Sequence, residues 1–240
     1  MKDQKRLNNQ FSIVANLLTL ILLLLSPFLA SGDWTWDLGW LYTGSMLLYT
    51  FISRAIAIRL HPGFARERAT ASALQDTKSW DKWIVPLIAL WLPLLAVLIA
   101  GLDQRLGWST PLPDWVHWLG LALLVVGYSV GTWAMAVNAY FSSHVRSQKD
   151  RGQKIVTTGP YAIVRHPAYI TGAIAMLGIP LLLDSLLAFP PIILLCIGII
   201  VRTALEDKTL LAELPGYKEY AESTSAFIPW FPRSKGSGTG

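Results

Sequence analysis

Long apolar runs separated by short, charged connectors dominate this chain. Six of them, over residues 11–30, 38–58, 84–101, 115–138, 168–183 and 186–205, carry almost no charge. Each approaches the roughly 20 residues that an α-helix needs to cross about 30 Å of hydrocarbon. The pattern predicts an all-α integral membrane protein of about six transmembrane helices. The fifth run is short, which predicts a helix that tilts little or stops below the far surface. Pro180, Pro190 and Pro191 lie in or beside the last two runs, where they kink or end a helix unless the freed carbonyls find partners. Leu183-Asp184-Ser185-Leu186 between these runs is a minimal turn. The two runs therefore predict a tight C-terminal helical hairpin whose open ends, near 167 and 206, return to one surface.

Composition agrees. The chain is 53% hydrophobic and 15% charged, whereas an ordinary soluble domain has about a quarter of its residues charged. All 20 Lys and Arg residues except Arg105 fall in the N-terminus, the 54–83 and 141–167 connectors and the region from Arg202 onward. Because basic residues are retained on the cytoplasmic side of short loops, both termini and the open ends of the hairpin are expected in the cytoplasm. The net charge of +5 is then a signal of topology and lipid headgroups more than of nucleic acid. Lys2, Lys5 and Arg6 before an apolar run, with Ala30-Ser31-Gly32 after it, also fit a signal peptide, but a run near 20 residues favours a retained anchor.

Trp34, Trp36, Trp40, Trp80, Trp83, Trp108, Trp115 and Trp118 cluster near the ends of the runs, as interfacial anchors do. The 59–83 connector reads as a short, solvated cytoplasmic helix starting after Pro62-Gly63. No stretch is long and polar enough for a soluble domain, so residues 1–232 read as a single membrane domain, with 233–240 a flexible tail. The lone Cys196 excludes an internal disulfide or a thiolate metal cluster. No His-x-x-x-His or Glu-x-x-His pair nominates a metal.

The chemistry gathers at the open ends of the hairpin. In Arg165-His166-Pro167-Ala168-Tyr169, the residue before proline is pushed towards extended geometry and the proline suits a first helical turn. His166 is thereby held at the mouth of a helix whose free N–H groups suit an anion. Tyr169 lies one turn inside, and Gly159-Pro160 upstream is a turn that lets backbone approach a ligand. At the other end Arg202 and Glu206 share a helix face while Asp207 is rotated about 100° further round. Each has a plainer role open to it: an interfacial His166, an intrahelical Arg202–Glu206 pair worth about 0.3–0.5 kcal/mol, Asn138 as a helix cap, His144 as part of a polar loop, and His61 and His117 as interface residues.

Over residues 138–232 the order Gly159-Pro160-Tyr161, Arg165-His166-Pro167-Ala168-Tyr169-Ile170-Thr171-Gly172, an apolar hairpin, Arg202 to Glu206-Asp207, and Gly216-Tyr217-Lys218-Glu219-Tyr220 resembles the isoprenylcysteine carboxyl methyltransferase family and related membrane phospholipid methyltransferases. The departure is Asp207, where that family usually has a second Glu. The resemblance implies S-adenosylmethionine in a cytoplasmic pocket roofed by the C-terminal segment. It puts Gly159, Pro160, Tyr161, His166, Pro167, Tyr169 and Glu206 on cofactor-binding positions, and Arg202 and Asp207 on catalytic or acceptor-orienting ones, with no metal. It also makes 138–232 the cofactor-binding catalytic region and 1–137 the variable spans that shape a channel for the acceptor. The implied reaction is methyl transfer to a lipophilic or prenylated acceptor at the membrane, foremost carboxyl methylation of a prenylcysteine-like substrate. Phospholipid amines and small thiols are alternatives.

Two other readings share part of this pattern. A sterol-type membrane reductase would use NADPH and bring Arg165 or Arg202 to a phosphate. A small transporter or scaffold would use the hairpin ends as gates or interfaces, but the internal repeats common in transporters are lacking.

Overall fold

The computed structural model describes residues 19–60, 77–142, 145 and 152–228. These form helices α1 (Thr19–Ser31), α2 (Asp37–Leu60), α3 (Asp81–Leu106), α4 (Asp114–Val137), α5 (Pro167–Leu182), α6 (Phe189–Glu213) and α7 (Tyr217–Ser223). Tight 3-10 turns occupy Gly159–Ala162 and Leu186–Ala188.

Four helices are long and apolar enough to cross a membrane: α2, α3, α4, and α6 taken with the turn before it. The first expected span is described only from Thr19. The fifth, α5, has 16 residues, which at 1.5 Å per residue reach about 24 Å, short of the hydrocarbon thickness. The expected helix of the 59–83 connector lies largely outside the described residues, as do His61, His144 and the 233–240 tail. Its last part is the turn that leads into α3, which starts at Asp81.

Side chains such as Leu48, Phe51, Val126, Ile193 and Ile197 point outward along the long helices, an apolar exterior that fits lipid. Trp83, Trp108, Trp115 and Trp118 are exposed near helix ends, where interfacial anchoring places them. Trp36 differs, because it is only 5% exposed and belongs to the main apolar cluster. Its indole covers Gly39, where a Cβ would lie 2.8 Å from Trp36 Cε3.

The middle of the bundle is built on contact between backbones. A Cβ at Gly120 would lie 2.5 Å from Leu182 N, one at Gly127 would lie 2.4 Å from Thr171 O, and one at Gly178 would lie 2.4 Å from Gly120 O. Glycine alone allows α4 and α5 to approach this closely. In α3, Pro86 lacks an N–H to donate, and the helix widens into a π turn at Leu87–Trp91. Gly198 of α6 packs there, 2.6 Å from Ile88 Cγ2 to the position of a Cβ.

The hairpin turn at 183–186 is held from outside itself. Asp184 takes φ +56, and its Oδ1 accepts from Leu112 N at 2.7 Å and lies 3.2 Å from His117 Nε2. Ser185 donates through its N–H to Pro180 O at 2.9 Å and through its hydroxyl to Asp103 Oδ2 at 2.6 Å. Pro190 and Pro191 fall in the first turn of α6, where a missing N–H costs little. With this end fixed, the opposite ends of α5 and α6 meet.

Candidate functional site

Gly159 opens the site with φ +58, and a Cβ there would lie 3.1 Å from Val137 Cγ2. The left-handed turn and the close approach to α4 both demand glycine. Pro160 and Tyr161 follow it, buried. The Tyr161 hydroxyl accepts from Asn138 Nδ2 at 3.1 Å, and its carbonyl accepts the Tyr220 hydroxyl at 2.6 Å. Burial pushes the pKa of both phenols up to about 12, so they remain neutral hydrogen-bonding groups at neutral pH. Val164 bridges to Ser225, Arg165 N donates to Ser225 O at 2.8 Å, and His166 N donates to Ala226 O at 3.1 Å. The segment after α7 is thus laid along the Arg165-His166 motif.

Two carboxylates organise what surrounds it. Asp207 accepts from the Tyr217 hydroxyl at 2.5 Å, faces His166 Nε2 at 2.7 Å, and pairs with the Arg165 guanidinium. Arg165 also donates to the carbonyls of Ala221, at 3.0 Å, and Thr224. Burial works against the charge on Arg165, but the Asp207 carboxylate more than offsets it and holds the pKa above the usual guanidinium value. The second carboxylate is Asp81, in the first turn of α3. It accepts from Arg202 Nε at 2.7 Å, Arg202 Nη2 at 3.3 Å and Val145 N at 2.7 Å. Arg202 Nη1 in turn donates to the Tyr169 hydroxyl at 2.6 Å, which donates to Glu206 Oε2 at 2.6 Å. The Arg202 guanidinium stands 4.8 Å from the Tyr169 ring centroid, and the His166 and Tyr169 rings stack at 5.4 Å.

These groups border a cavity of about 430 Å³. Of the residues expected to bind a cofactor, Tyr161, His166, Pro167, Tyr169 and Glu206 line it. Gly159 and Pro160 form the turn behind it. Arg202 and Asp207 stand one layer back, their charged groups engaged by Asp81 and by Arg165 and His166. The expected pair of Arg202 with Glu206 is mediated by the Tyr169 hydroxyl. A second cavity of about 340 Å³ opens between α2, α4 and α5, and Phe141 and Ala168 line both.

Sequence reasoning passed over Asp81, and it took Asn138 for a cap alone. Asn138 does end α4, yet it also lines the cavity and holds Tyr161. Nothing local to Asp81 marks it out, since it stands among ordinary charges of a polar connector. Tyr217 and Tyr220 were visible in the Gly216-Tyr217 motif but carried no role until α7 was seen to fold against Asp207 and Tyr161.

Comparison with known proteins bears on the same region. Residues 115–214, from the first turn of α4 to just past α6, match the model of the phospholipid methyltransferase family. The chain is 30% identical over 151 residues to the cobalt-zinc-cadmium resistance protein CzcN of Cupriavidus metallidurans, covering 61% of this chain and 63% of that one. It is 28% identical over 145 residues to the nickel-cobalt-cadmium resistance protein NccN of Alcaligenes xylosoxydans xylosoxydans, covering 59% and 64%. The chain therefore spans somewhat less than two thirds of the length of these curated relatives. Over residues 115–214 it is similar to the phospholipid methyltransferase family, a family of the isoprenylcysteine carboxyl methyltransferase-like group of membrane methyltransferases.

Proposed function

We propose that this membrane protein transfers a methyl group from S-adenosylmethionine to a lipophilic acceptor, with both termini and the site on the cytoplasmic side. The observation that carries the proposal is the cavity lined by Tyr161, His166, Tyr169 and Glu206, which adjoins a second cavity between helices through Phe141 and Ala168. The donor set suits the cofactor. Phenol faces attract a cation, Glu206 offers a carboxylate to an ammonium or a ribose hydroxyl, and the volume falls in the range of about 300–1,000 Å³ usual for small-molecule sites. Tyr161, His166, Pro167, Tyr169 and Glu206 would hold it. When bound, S-adenosylmethionine supplies an already activated methyl group.

The protein's task is then alignment and exclusion of water. The stacked His166 and Tyr169 rings, with α7 folded over the motif, close one side. The second cavity would admit the acceptor from the bilayer, and a carboxylate of prenylcysteine type is its own nucleophile and needs no base. Phospholipid amines and thiols remain acceptors to test beside it. The names of the two relatives concern metal resistance; for this chain we place any such role downstream of methylation of a membrane component. The reductase alternative loses support because both guanidiniums it would turn to a phosphate, Arg165 and Arg202, are committed to carboxylates.

S-Adenosylmethionine is expected to raise the unfolding temperature of the detergent-solubilised protein in a saturable way, while NADPH leaves it unchanged. Stabilisation by NADPH alone would replace methyl transfer with hydride transfer. A labelled methyl group recovered in a lipid extract, tested for lability in base, then separates an ester from an amine product.

The acceptor cavity makes its own prediction. Gly172 lines it, and a Cβ there would have nothing within 4 Å. Gly172→Leu should therefore fold and bind S-adenosylmethionine as the wild type does, yet lower methyl transfer to lipid by about tenfold, because the side chain occupies acceptor space without colliding with backbone. Unchanged transfer would remove the second cavity from the acceptor route.

A further inference from the structure

We propose that Asp81 is a positioning residue that keeps the Glu206 carboxylate in the cofactor cavity wall from being neutralised by Arg202. It lies outside the matched family segment and does not line the cavity. Its side chain is fully buried, where a carboxylate persists only when donors answer its charge, as Arg202 and Val145 N do here.

The chain of bonds runs Asp81, Arg202, Tyr169, Glu206, and the direction of each bond matters. A phenol has one proton. With Arg202 Nη1 donating to the Tyr169 oxygen, that proton is turned to Glu206 Oε2. The Glu206 carboxylate is thereby held in the cavity wall through a neutral hydroxyl and is not clamped directly by the guanidinium. Of these three charged groups Glu206 alone borders the cavity, and it is held there through a phenol contact with no guanidinium bonded to it directly. A carboxylate so placed suits a cationic group of a ligand. Without the Asp81 carboxylate, the buried guanidinium would take Glu206 as its counter-ion and withdraw that carboxylate from the ligand. Arg202 can never discharge by losing a proton.

Asp81 is itself held from the cytoplasmic connector. Asp81 N donates to Lys78 O at 3.0 Å, Lys78 N donates to Val145 O at 3.1 Å, and Lys78 Nζ pairs with Glu213 Oε1 at 2.5 Å. Val145, which lines the cavity, is gripped at its carbonyl by Lys78 and at its N–H by Asp81. The first turn of α3 thus contributes a charge to the site and fixes Val145 in the cavity wall.

This role presupposes that the site binds S-adenosylmethionine, and the test separates the two. Full-length wild type, Asp81→Asn, the double variant Asp81→Asn/Arg202→Met, and that double variant with Glu206→Gln are compared for S-adenosylmethionine affinity, with thermal unfolding as a check on folding. Asp81→Asn should weaken binding about tenfold as Arg202 turns on Glu206. Removing the cation as well should restore affinity to within about threefold of the wild type, because Glu206 is again free of a guanidinium and a buried ion pair is replaceable by neutral side chains. Adding Glu206→Gln should abolish that recovery. A merely structural clamp predicts the opposite order, with the double variant no better than the single one. If Asp81→Asn does not fold, a folded double variant that binds at least tenfold more weakly than the wild type overturns the proposal. No saturable binding by the wild type would overturn the methyltransferase reading, and this role with it. Wild-type binding with an unrestored double variant overturns only the role of Asp81.

Discussion

Asp207→Ala will lose S-adenosylmethionine binding by about a hundredfold or more and release the segment after α7 from the motif. The carboxylate is the common acceptor for Arg165, His166 and Tyr217. Its removal leaves a guanidinium 11% exposed that keeps the Ala221 and Thr224 carbonyls but loses this counter-ion, and leaves the Tyr217 hydroxyl without this acceptor. Stripping one partner from a buried ion pair costs about 3–5 kcal/mol, and 1.4 kcal/mol is a factor of ten in affinity. The loss falls on the contacts that hold α7 and residues 225–226 beside His166, so cleavage by added protease near residue 224 should rise together with the dissociation constant.

Asp207→Asn should be nearly as damaging. Its amide nitrogen would face donors, and a single oxygen cannot serve all three. Asp207→Glu should stay within about fivefold of the wild type, because charge and both oxygens are kept and one methylene is absorbed by the flexible Arg165 side chain. An alanine variant with native affinity would mean that the motif and α7 are held together by something other than this hub.

The hub was legible in the sequence to an unequal degree. The Arg165-His166-Pro167 turn and the Asp184-Ser185 turn are set by residues a few positions apart, so reading them locally places the two ends of the hairpin together. Proline and a minimal turn leave the chain few alternatives there. Asp81 was illegible for the opposite reason. Its partner is Arg202, on another helix and more than a hundred positions away in the chain, and a carboxylate in a charged connector looks the same whether solvated or buried. Arg202 was seen, but its helical neighbour Glu206 was the natural partner to assign to it. Only the structure inserts the Tyr169 hydroxyl between them. Trp36 was misread because position near a span end predicts an interfacial indole, while the absence of a side chain at Gly39 offers it a place inside. The number of spans was limited by physics of another kind: hydrophobicity sets which runs avoid water, but length decides which cross, and α5 is short.

The glycines of α4 were equally silent in the sequence, and they carry the second large effect. Gly127→Ala should destabilise the protein, whereas Gly131→Ala, one helical turn later, should be neutral or stabilise it by up to about 1 kcal/mol through the higher helix propensity of alanine. The substitutions are chemically identical and differ only in what the new methyl meets. At Gly131 the nearest atom is Thr171 Oγ1 at 3.7 Å, an ordinary contact. At Gly127 it is Thr171 O at 2.4 Å, with Ala175 Cβ at 2.8 Å and Ala175 N at 2.9 Å. Two of those three atoms are backbone and cannot rotate away, so α5 itself must move outward, by on the order of 1 Å, at a cost of about 1–3 kcal/mol for overpacking. That movement is delivered at the wrong place for function. Thr171 is two residues from Tyr169, whose hydroxyl stands between Arg202 and Glu206, and misplacement on the order of 1 Å in a site can cost about a hundredfold in rate. Thermal unfolding and methyl transfer measured on both variants should therefore part company: Gly131→Ala keeps both, and Gly127→Ala lowers both, with transfer falling further than stability alone explains. Equal behaviour of the two would mean that α4 and α5 do not meet backbone to backbone.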